Sequence, residues 1–128
     1  MNLWLGTHLL LWTALRTGRV PDQARLLIDD PENQLFFSMV NIWEIAIERG
    51  LGRDDFSVKP ALLRRGLLDN DFREPTIVSD HAIASGLLPL IHRGPFDRLP
   101  IAQAAVEGMT LLTADPIVAR YPGPIRAV

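Results

Sequence analysis

The sequence predicts an α/β protein with three layers, in which helices cover both faces of a central, mainly parallel sheet. Two observations predict this α/β/α sandwich. Short hydrophobic runs alternate with helical patterns along the chain, which is typical of β-α-β connections. No repeat, linker or low-complexity tract interrupts the 128 residues, a length that one core can fill. We therefore interpret residues 1–128 as a single domain.

Five hydrophobic runs are interpreted as strands. The first, at the N-terminus, is predicted to be buried, and the last is predicted to lie at an edge of the sheet. Parallel strands buried on both faces are expected to be continuously apolar, as most of these runs are. The predicted strands are 1–5, 35–40, 75–78, 109–113 and 124–128.

Seven segments are predicted to be helical. Ser79 is interpreted as an N-cap, and Gly50 and Gly108 follow the ends of two helices, where glycine is favoured. The segment 60–70 is amphipathic, with four leucines on one broad face. The predicted helices begin at Thr7 or His8 and end near Leu15, and then span 22–28, 41–49, 60–70, 79–87, 97–107 and 116–120.

Composition excludes several classes of protein. The chain is 48% hydrophobic and 22% charged with a net charge of −2, so no global basic field indicates nucleic-acid binding. It has no cysteine, which excludes disulfides and thiolate metal sites and fits a reducing cytosol. The apolar segment 1–12 lacks a preceding positive charge and is interrupted by Thr7-His8, so neither export nor a membrane span is expected. We expect a cytoplasmic protein.

Three carboxylates stand where a strand is followed by a helix. Glu44, Asp97 and Asp115 occupy such junctions, and Gly6 fills a fourth position of the same kind. The carboxyl ends of parallel strands gather on one rim of an α/β sheet, so acids distant in sequence can meet there. Clustered carboxylates are typical ligands of Mg²⁺.

Helix capping offers a second interpretation of each acid. Asn41 and Glu44 have the spacing of a capping box, and for Glu44 alone this structural explanation is the better one. Asp97 and Asp115 can act as N-caps, each contributing about 0.5–2 kcal/mol. Glu48, four residues after Glu44, adds a repulsion of about 0.2–0.5 kcal/mol that a nearby cation would relieve. The set of three acids, rather than any one of them, favours a functional site.

The other candidate motifs are weaker. The three histidines lack the spacing of a zinc site, and there is no nucleophile elbow or phosphate-binding glycine-rich loop. Arg93 and Arg98 flank Asp97, and they can be either solvated charges or ligands of a phosphodiester.

Four segments in order give the chain a recognisable pattern: 3–12, 38–47, 92–98 and 113–115. Together they resemble PIN-domain proteins of the VapC toxin type over essentially the whole chain. The resemblance implies a PIN-like fold and a Mg²⁺- or Mn²⁺-dependent endoribonuclease that cleaves cellular RNA, that is inhibited by a cognate antitoxin and that commonly forms a homodimer.

The resemblance also implies roles for individual residues. Glu44, Asp97 and Asp115 match acids that bind the metal and are catalytic, whereas Ser38 and Thr113 match supporting positions. Arg93 and Arg98 are candidate contacts to RNA or to the antitoxin, and the segment 60–70 is a candidate surface for that partner or for the dimer.

Departures from the family pattern predict reduced activity. Gly6 stands where the family usually has a metal-binding Asp, Gly94 stands where a second acid is frequent, and Glu48 replaces a frequent basic residue. The first hypothesis is therefore an attenuated nuclease toxin, and the second is an inactive module that retains only antitoxin binding and dimerisation. A phosphoacceptor signalling domain fits less well, because it requires an acidic pair where this chain has Gly6-Thr7.

Overall fold

The computed structural model describes residues 1–92 and 94–128, without the side chain of residue 55. Its strands are β1 (Asn2–Leu5), β2 (Gln34–Phe36), β3 (Thr110–Thr113) and β4 (Ile125–Ala127). Its α-helices are α1 (Thr7–Leu15), α2 (Asp22–Asp29), α3 (Met39–Gly50), α4 (Pro60–Asp69), α5 (Ser79–Gly86) and α6 (Pro95–Glu107). Single 3₁₀ turns occupy Asp54–Phe56 and Val118–Arg120.

The four strands form one parallel sheet in the order β2-β1-β3-β4. In the register of β1, Leu3 lies opposite Leu35 of β2, and Trp4 lies opposite Leu111 of β3. Because all four strands run the same way, their carboxyl ends share one edge. This edge carries the start of α1 and the turn after β3.

Alternate residues of the central strands bury against opposite helical layers. Leu3 and Leu5 belong to the core beneath α1, α2, α3 and α4, whereas Trp4 packs with Ile101 and Ala104 of α6. This alternation follows from the two-residue period of a strand. The predicted α/β/α sandwich with a parallel sheet is confirmed.

The predicted strand at 75–78 is wrong. This segment has no regular secondary structure. Just before it, Arg73 pairs with Phe36 of β2 in an isolated bridge. Arg73 exchanges backbone hydrogen bonds with Leu35 and Phe37, and the pairing then ends. Pro75 has no N–H to donate to a ladder, which explains why the strand does not extend.

The predicted strand 35–40 is too long, because α3 begins at Met39. Ser38 is the N-cap: its hydroxyl accepts from the backbone N–H of Val40, and its own N–H donates to the Asn41 side chain. The predicted capping box between Asn41 and Glu44 is therefore wrong. Asn41 is the third helical residue, and Glu44 lies farther along the helix with no capping role.

Two further helix starts differ from the prediction. Val78 is the residue before α5, where its N–H donates to Nδ1 of His81, so Ser79 is the first helical residue rather than the cap. Helix α6 begins at Pro95 after Gly94, which puts Asp97 at the third helical position rather than at the N-cap. In residues 1–92 and 94–128, no helix combines the length and the apolar character that crossing a bilayer requires.

Candidate functional site

All three candidate acids lie on the walls of one cleft at the carboxyl edge of the sheet. Glu44 reaches it from α3, Asp97 from the first turn of α6, and Asp115 from the turn after β3. The cleft is also lined by Gly6, Thr7, His8, Leu9, Asn41, Phe96, Pro100, Leu111, Thr113, Ala114 and Val118.

Glu44 is held from the first turn of α1. The hydroxyl of Thr7 donates to Oε1 of Glu44 at 2.6 Å. Burial is the main cause that raises the pKa of the Glu44 carboxyl, and the charges of Asp97 and Glu48 raise it further. The Thr7 hydrogen bond and His8 oppose this shift. Glu44 is thus a partly desolvated carboxylate that faces a second acid.

Asp97 has a raised pKa for a similar reason. Burial contributes most, and repulsion from Asp115 adds to it, whereas His92 and His8 oppose the shift. Nδ1 of His92 lies 3.5 Å from Oδ2 of Asp97. Asp97 therefore repels both Glu44 and Asp115 electrostatically.

Asp115 is fixed by local hydrogen bonds. Its N–H donates to Oγ1 of the buried Thr113 at 3.0 Å, and its Oδ1 accepts from the N–H of Ile117 at 2.8 Å. Asp115 thus caps the turn that leads into the Val118–Arg120 3₁₀ helix, but the N-cap of that helix is Ile117 rather than the expected Asp115, because the helix begins at Val118 and not at Pro116. Thr113 orients this turn, and Oδ2 is the carboxylate oxygen that the cap leaves for a ligand.

Ser38 does not line the cleft. It is completely buried, and its hydroxyl donates to Oε1 of Gln103 at 2.5 Å. The Ser38 side chain can therefore support the site by fixing the start of α3 and its packing on α6.

The two glycines have different surroundings. Gly6 lines the cleft in an extended conformation with φ −68°, and its N–H donates to the carbonyl of Leu112. A Cβ at Gly6 would lie 3.3 Å from that carbonyl oxygen and 3.7 Å from Oγ1 of Thr113, so a side chain requires only a small shift. A Cβ at Gly94 would lie 3.1 Å from the His92 ring, and Gly94 is not part of the cleft wall.

Of the two candidate arginines, the structure describes only Arg98, and Arg98 does not form the expected contact. Arg93 lies outside the described residues. Arg98 is buried, and its guanidinium donates to the carbonyls of Ser85, Leu88 and Pro89. The structure thus corrects the interpretation of Arg98 as an RNA or antitoxin contact, because its donors already hold the end of α5 and the loop that follows.

The oxygen atoms that line the cleft are of the type that binds a divalent cation, but they do not form a complete set of ligands among the described residues. Carboxylate and hydroxyl oxygens are the ligands that Mg²⁺ and Mn²⁺ prefer. Within the described ranges, however, no group of three or more His, Asp or Glu side chains is arranged to hold a metal ion. The three acids fit such an ion chemically, and the wall beside Gly6 supplies no carboxylate.

Sequence reasoning did not assign Thr7 to the site, and it placed Asn41 only as a helix cap. Two signals could have identified them. Thr7 directly follows Gly6 at the end of the first strand, and Asn41 lies three residues before Glu44 on the same side of the helix.

Comparison with known proteins agrees with the fold. The chain is similar to the solved structure of VapBC2 from Rickettsia felis bound to a DNA fragment from its promoter. The two sequences are 17% identical, the alignment covers 99% of this chain and 98% of that chain, and the TM-score is 0.68. VapBC-1 from nontypeable Haemophilus influenzae matches with 14% identity, the same coverage and a TM-score of 0.63. DNA-bound VapBC from Salmonella typhimurium matches with 16% identity, also over 99% and 98% of the two chains, and a TM-score of 0.63.

No curated protein matches the chain. The family model of the PIN domain, in contrast, matches residues 5–124, which is nearly the whole sequence. Together with the parallel sheet and the acidic cleft at its carboxyl edge, this match shows that the chain belongs to the PIN domain family.

Proposed function

We propose that this protein is the toxin of a type II toxin–antitoxin module, a cytoplasmic Mg²⁺- or Mn²⁺-dependent endoribonuclease whose activity is attenuated. The observation that carries the proposal is the convergence of Glu44, Asp97 and Asp115 on one cleft of a PIN domain. The absence of a carboxylate at Gly6 is the reason to expect attenuation.

The proposed chemistry assigns simple tasks to the residues of the cleft. Glu44, Asp97 and Asp115 would hold the cation, which when bound lowers the pKa of water and neutralises charge on a phosphodiester. Thr7 and Thr113 orient two of these acids through the hydrogen bonds described above. The mutual repulsion of Glu44, Asp97 and Asp115 disfavours the empty, fully ionised cleft and favours cation binding.

A catalytically inactive PIN module is the second candidate function. The lack of a three-residue metal-binding group among the described side chains favours it. Calorimetric titration with Mn²⁺ separates the two, because the inactive module is expected to show no binding that depends on Glu44, Asp97 and Asp115.

An antitoxin partner is proposed from the structural neighbours, which are VapBC complexes. A groove between the end of α1 and α4 provides an apolar surface for such a partner, lined among others by Leu15, Val58, Leu62, Leu67 and Phe72. Leu62 is 59% exposed, whereas Leu67 packs into the core. A homodimer and an RNA substrate are further parts of the proposal.

The substitution Gly6→Asp tests the proposed activity. We expect RNA cleavage that requires Mg²⁺ and exceeds that of the unchanged chain by at least about 10-fold, since even an indirect ligand partner contributes about 10–100-fold. Gly6→Asn is the matched control, because it brings the same Cβ beside Leu112 without the charge.

The double variant with Gly6→Asp and Glu44→Gln should lose the Mg²⁺-dependent RNA cleavage that Gly6→Asp gains. Cleavage would be measured on total RNA with and without Mg²⁺, after circular dichroism has shown that each variant is folded. If folded Gly6→Asp cleaves no better than Gly6→Asn, the nuclease proposal is wrong.

A further inference from the structure

A directed series of hydrogen bonds runs from the backbone at the start of α3 to the candidate ligand Glu44. The N–H of Ser38 donates to Oδ1 of Asn41 at 2.8 Å, Nδ2 of Asn41 donates to Oγ1 of Thr7 at 2.9 Å, and Thr7 donates to Glu44 at 2.6 Å. Ser38, Asn41 and Thr7 are all buried. We call these three bonds the Asn41–Thr7 relay.

The backbone sets the direction of every bond in this relay. A peptide N–H can only donate, so Asn41 must present its carbonyl oxygen to Ser38 and its NH₂ group to Thr7. An amide nitrogen can also only donate, so Oγ1 of Thr7 accepts. The single hydroxyl proton of Thr7 is then left for Oε1 of Glu44.

Helix capping does not account for the whole relay. The Ser38–Asn41 bond belongs to the capping box of α3 and needs no further partner. The two bonds from Asn41 to Thr7 and from Thr7 to Glu44 join α3 to the start of α1 across the cleft wall, and they satisfy no free helix end. Their visible consequence is the placement of the Glu44 carboxylate.

We propose that Asn41 and Thr7 are positioning residues that hold Glu44 toward the cleft, with Oε1 fixed against α1 and Oε2 left as the oxygen for a cation. This inference rests on the proposed metal-dependent function. Asp97 repels the Glu44 carboxylate, so without the hydrogen bond from Thr7 we expect the flexible Glu44 side chain to rotate away from the cleft. Partners that orient metal-binding side chains typically contribute about 10–100-fold to metal affinity.

The isosteric substitution Thr7→Val tests the relay with Mn²⁺ alone as the probe. We expect Thr7→Val to weaken Mn²⁺ binding by about 10-fold, as measured by the electron paramagnetic resonance signal of free Mn²⁺. Thr7→Ser, which keeps the hydroxyl, should restore the affinity. Thr13→Val is the matched control, because it makes the same change on α1 at a buried hydroxyl with no hydrogen-bond partner among the described residues.

Each measurement is made in the unchanged chain and in the Gly6→Asp background. Equal Mn²⁺ affinity of Thr7→Val and Thr13→Val would overturn the relay while leaving the metal-dependent function intact. Absence of Mn²⁺ binding in both backgrounds would instead overturn the proposed function.

The metal-free protein then decides the relay independently. Side-chain scalar couplings measured by nuclear magnetic resonance should show one Glu44 rotamer in the unchanged chain and in Thr7→Ser, and rotamer averaging in Thr7→Val. A single rotamer in all three proteins would overturn the positioning role of Thr7.

Discussion

At the residue scale, burial and repulsion act in the same direction on Glu44 and Asp97. Burial is the larger cause that raises the pKa of each carboxyl, and a neighbouring acid adds to the shift in both cases. The folded protein therefore binds protons at these groups more tightly than the unfolded chain does. Their contribution to stability is complete below the unfolded pKa values and is lost as the pH rises through the folded values.

The substitution Glu44→Gln should remove part of this pH dependence. Gln keeps an oxygen that can accept from Thr7 but carries no charge, so we expect the free energy of unfolding to increase near pH 7. The two proteins should converge below about pH 4.5, where the ordinary Glu carboxyl is also protonated. Urea unfolding of the metal-free proteins at several pH values measures the free energy of unfolding of both proteins.

Glu48→Gln is the control on the same helix, because Glu48 is paired with Arg53 at 2.7 Å and lies one turn away from the relay. It should retain most of the decrease in stability with rising pH. An unchanged pH profile in Glu44→Gln would show that burial of this charge does not cost the fold stability.

At the element scale, a single serine decides where β2 ends and α3 begins. The hydrophobic pattern of residues 35–40 predicted a continuous strand, but Ser38 ends it by capping the following helix. A local pattern could not separate the two outcomes, because Met39 and Val40 are compatible with either structure. The buried bond between Ser38 and Gln103, 65 positions away, is a tertiary contact that favours the helix.

Ser38→Ala should therefore destabilise the protein strongly. The lost cap contributes about 0.5–2 kcal/mol, and an unsatisfied buried oxygen on Gln103 costs about 1–3 kcal/mol more. Ser79→Ala is the matched control, since Ser79 is exposed and is not a cap, and its effect should stay within about 0.5 kcal/mol. Thermal and urea unfolding compare the two. Equal losses of stability in the two variants would contradict the assignment of Ser38 as a helix cap and of Ser79 as a residue without a capping role.

Arg98 shows a second limit of sequence reasoning at this scale. Its position beside Asp97 in sequence favoured a role at the cleft, but adjacent residues on a helix point in different directions. The side chain turns instead to three carbonyls at the end of α5 and beyond. Only the packing of α5 on α6 reveals this choice.

At the scale of the whole molecule, the groove between α1 and α4 lies apart from the acidic cleft. The predicted apolar face of residues 60–70 is divided. Leu63 and Leu67 pack into the core and form the buried floor of the groove, Leu62 lines the groove with an exposed side chain, and Leu68 lies outside it. The proposed antitoxin can thus bind an apolar surface without occupying the site of the acids.

Leu62→Glu should weaken antitoxin binding without unfolding the protein, because the exposed side chain contributes little to the core. Co-purification with the proposed antitoxin measures the effect, and circular dichroism checks the fold. Leu68→Glu is the control, because Leu68 is on the same helix and 37% exposed but does not line the groove. Equal retention of antitoxin by both variants would exclude this groove as the docking surface.

The sequence by itself determined the class of fold and the candidate acids. Alternating hydrophobic runs and helical patterns require a layered α/β structure, and acids at strand–helix junctions are brought to one edge by any parallel sheet. Pro75 already opposes a strand at 75–78 at the level of the sequence, whereas the tertiary structure alone decided the direction of the Asn41–Thr7 relay and the buried role of Arg98. Those outcomes depend on strand register and on contacts between helices distant in sequence, which a local pattern does not contain.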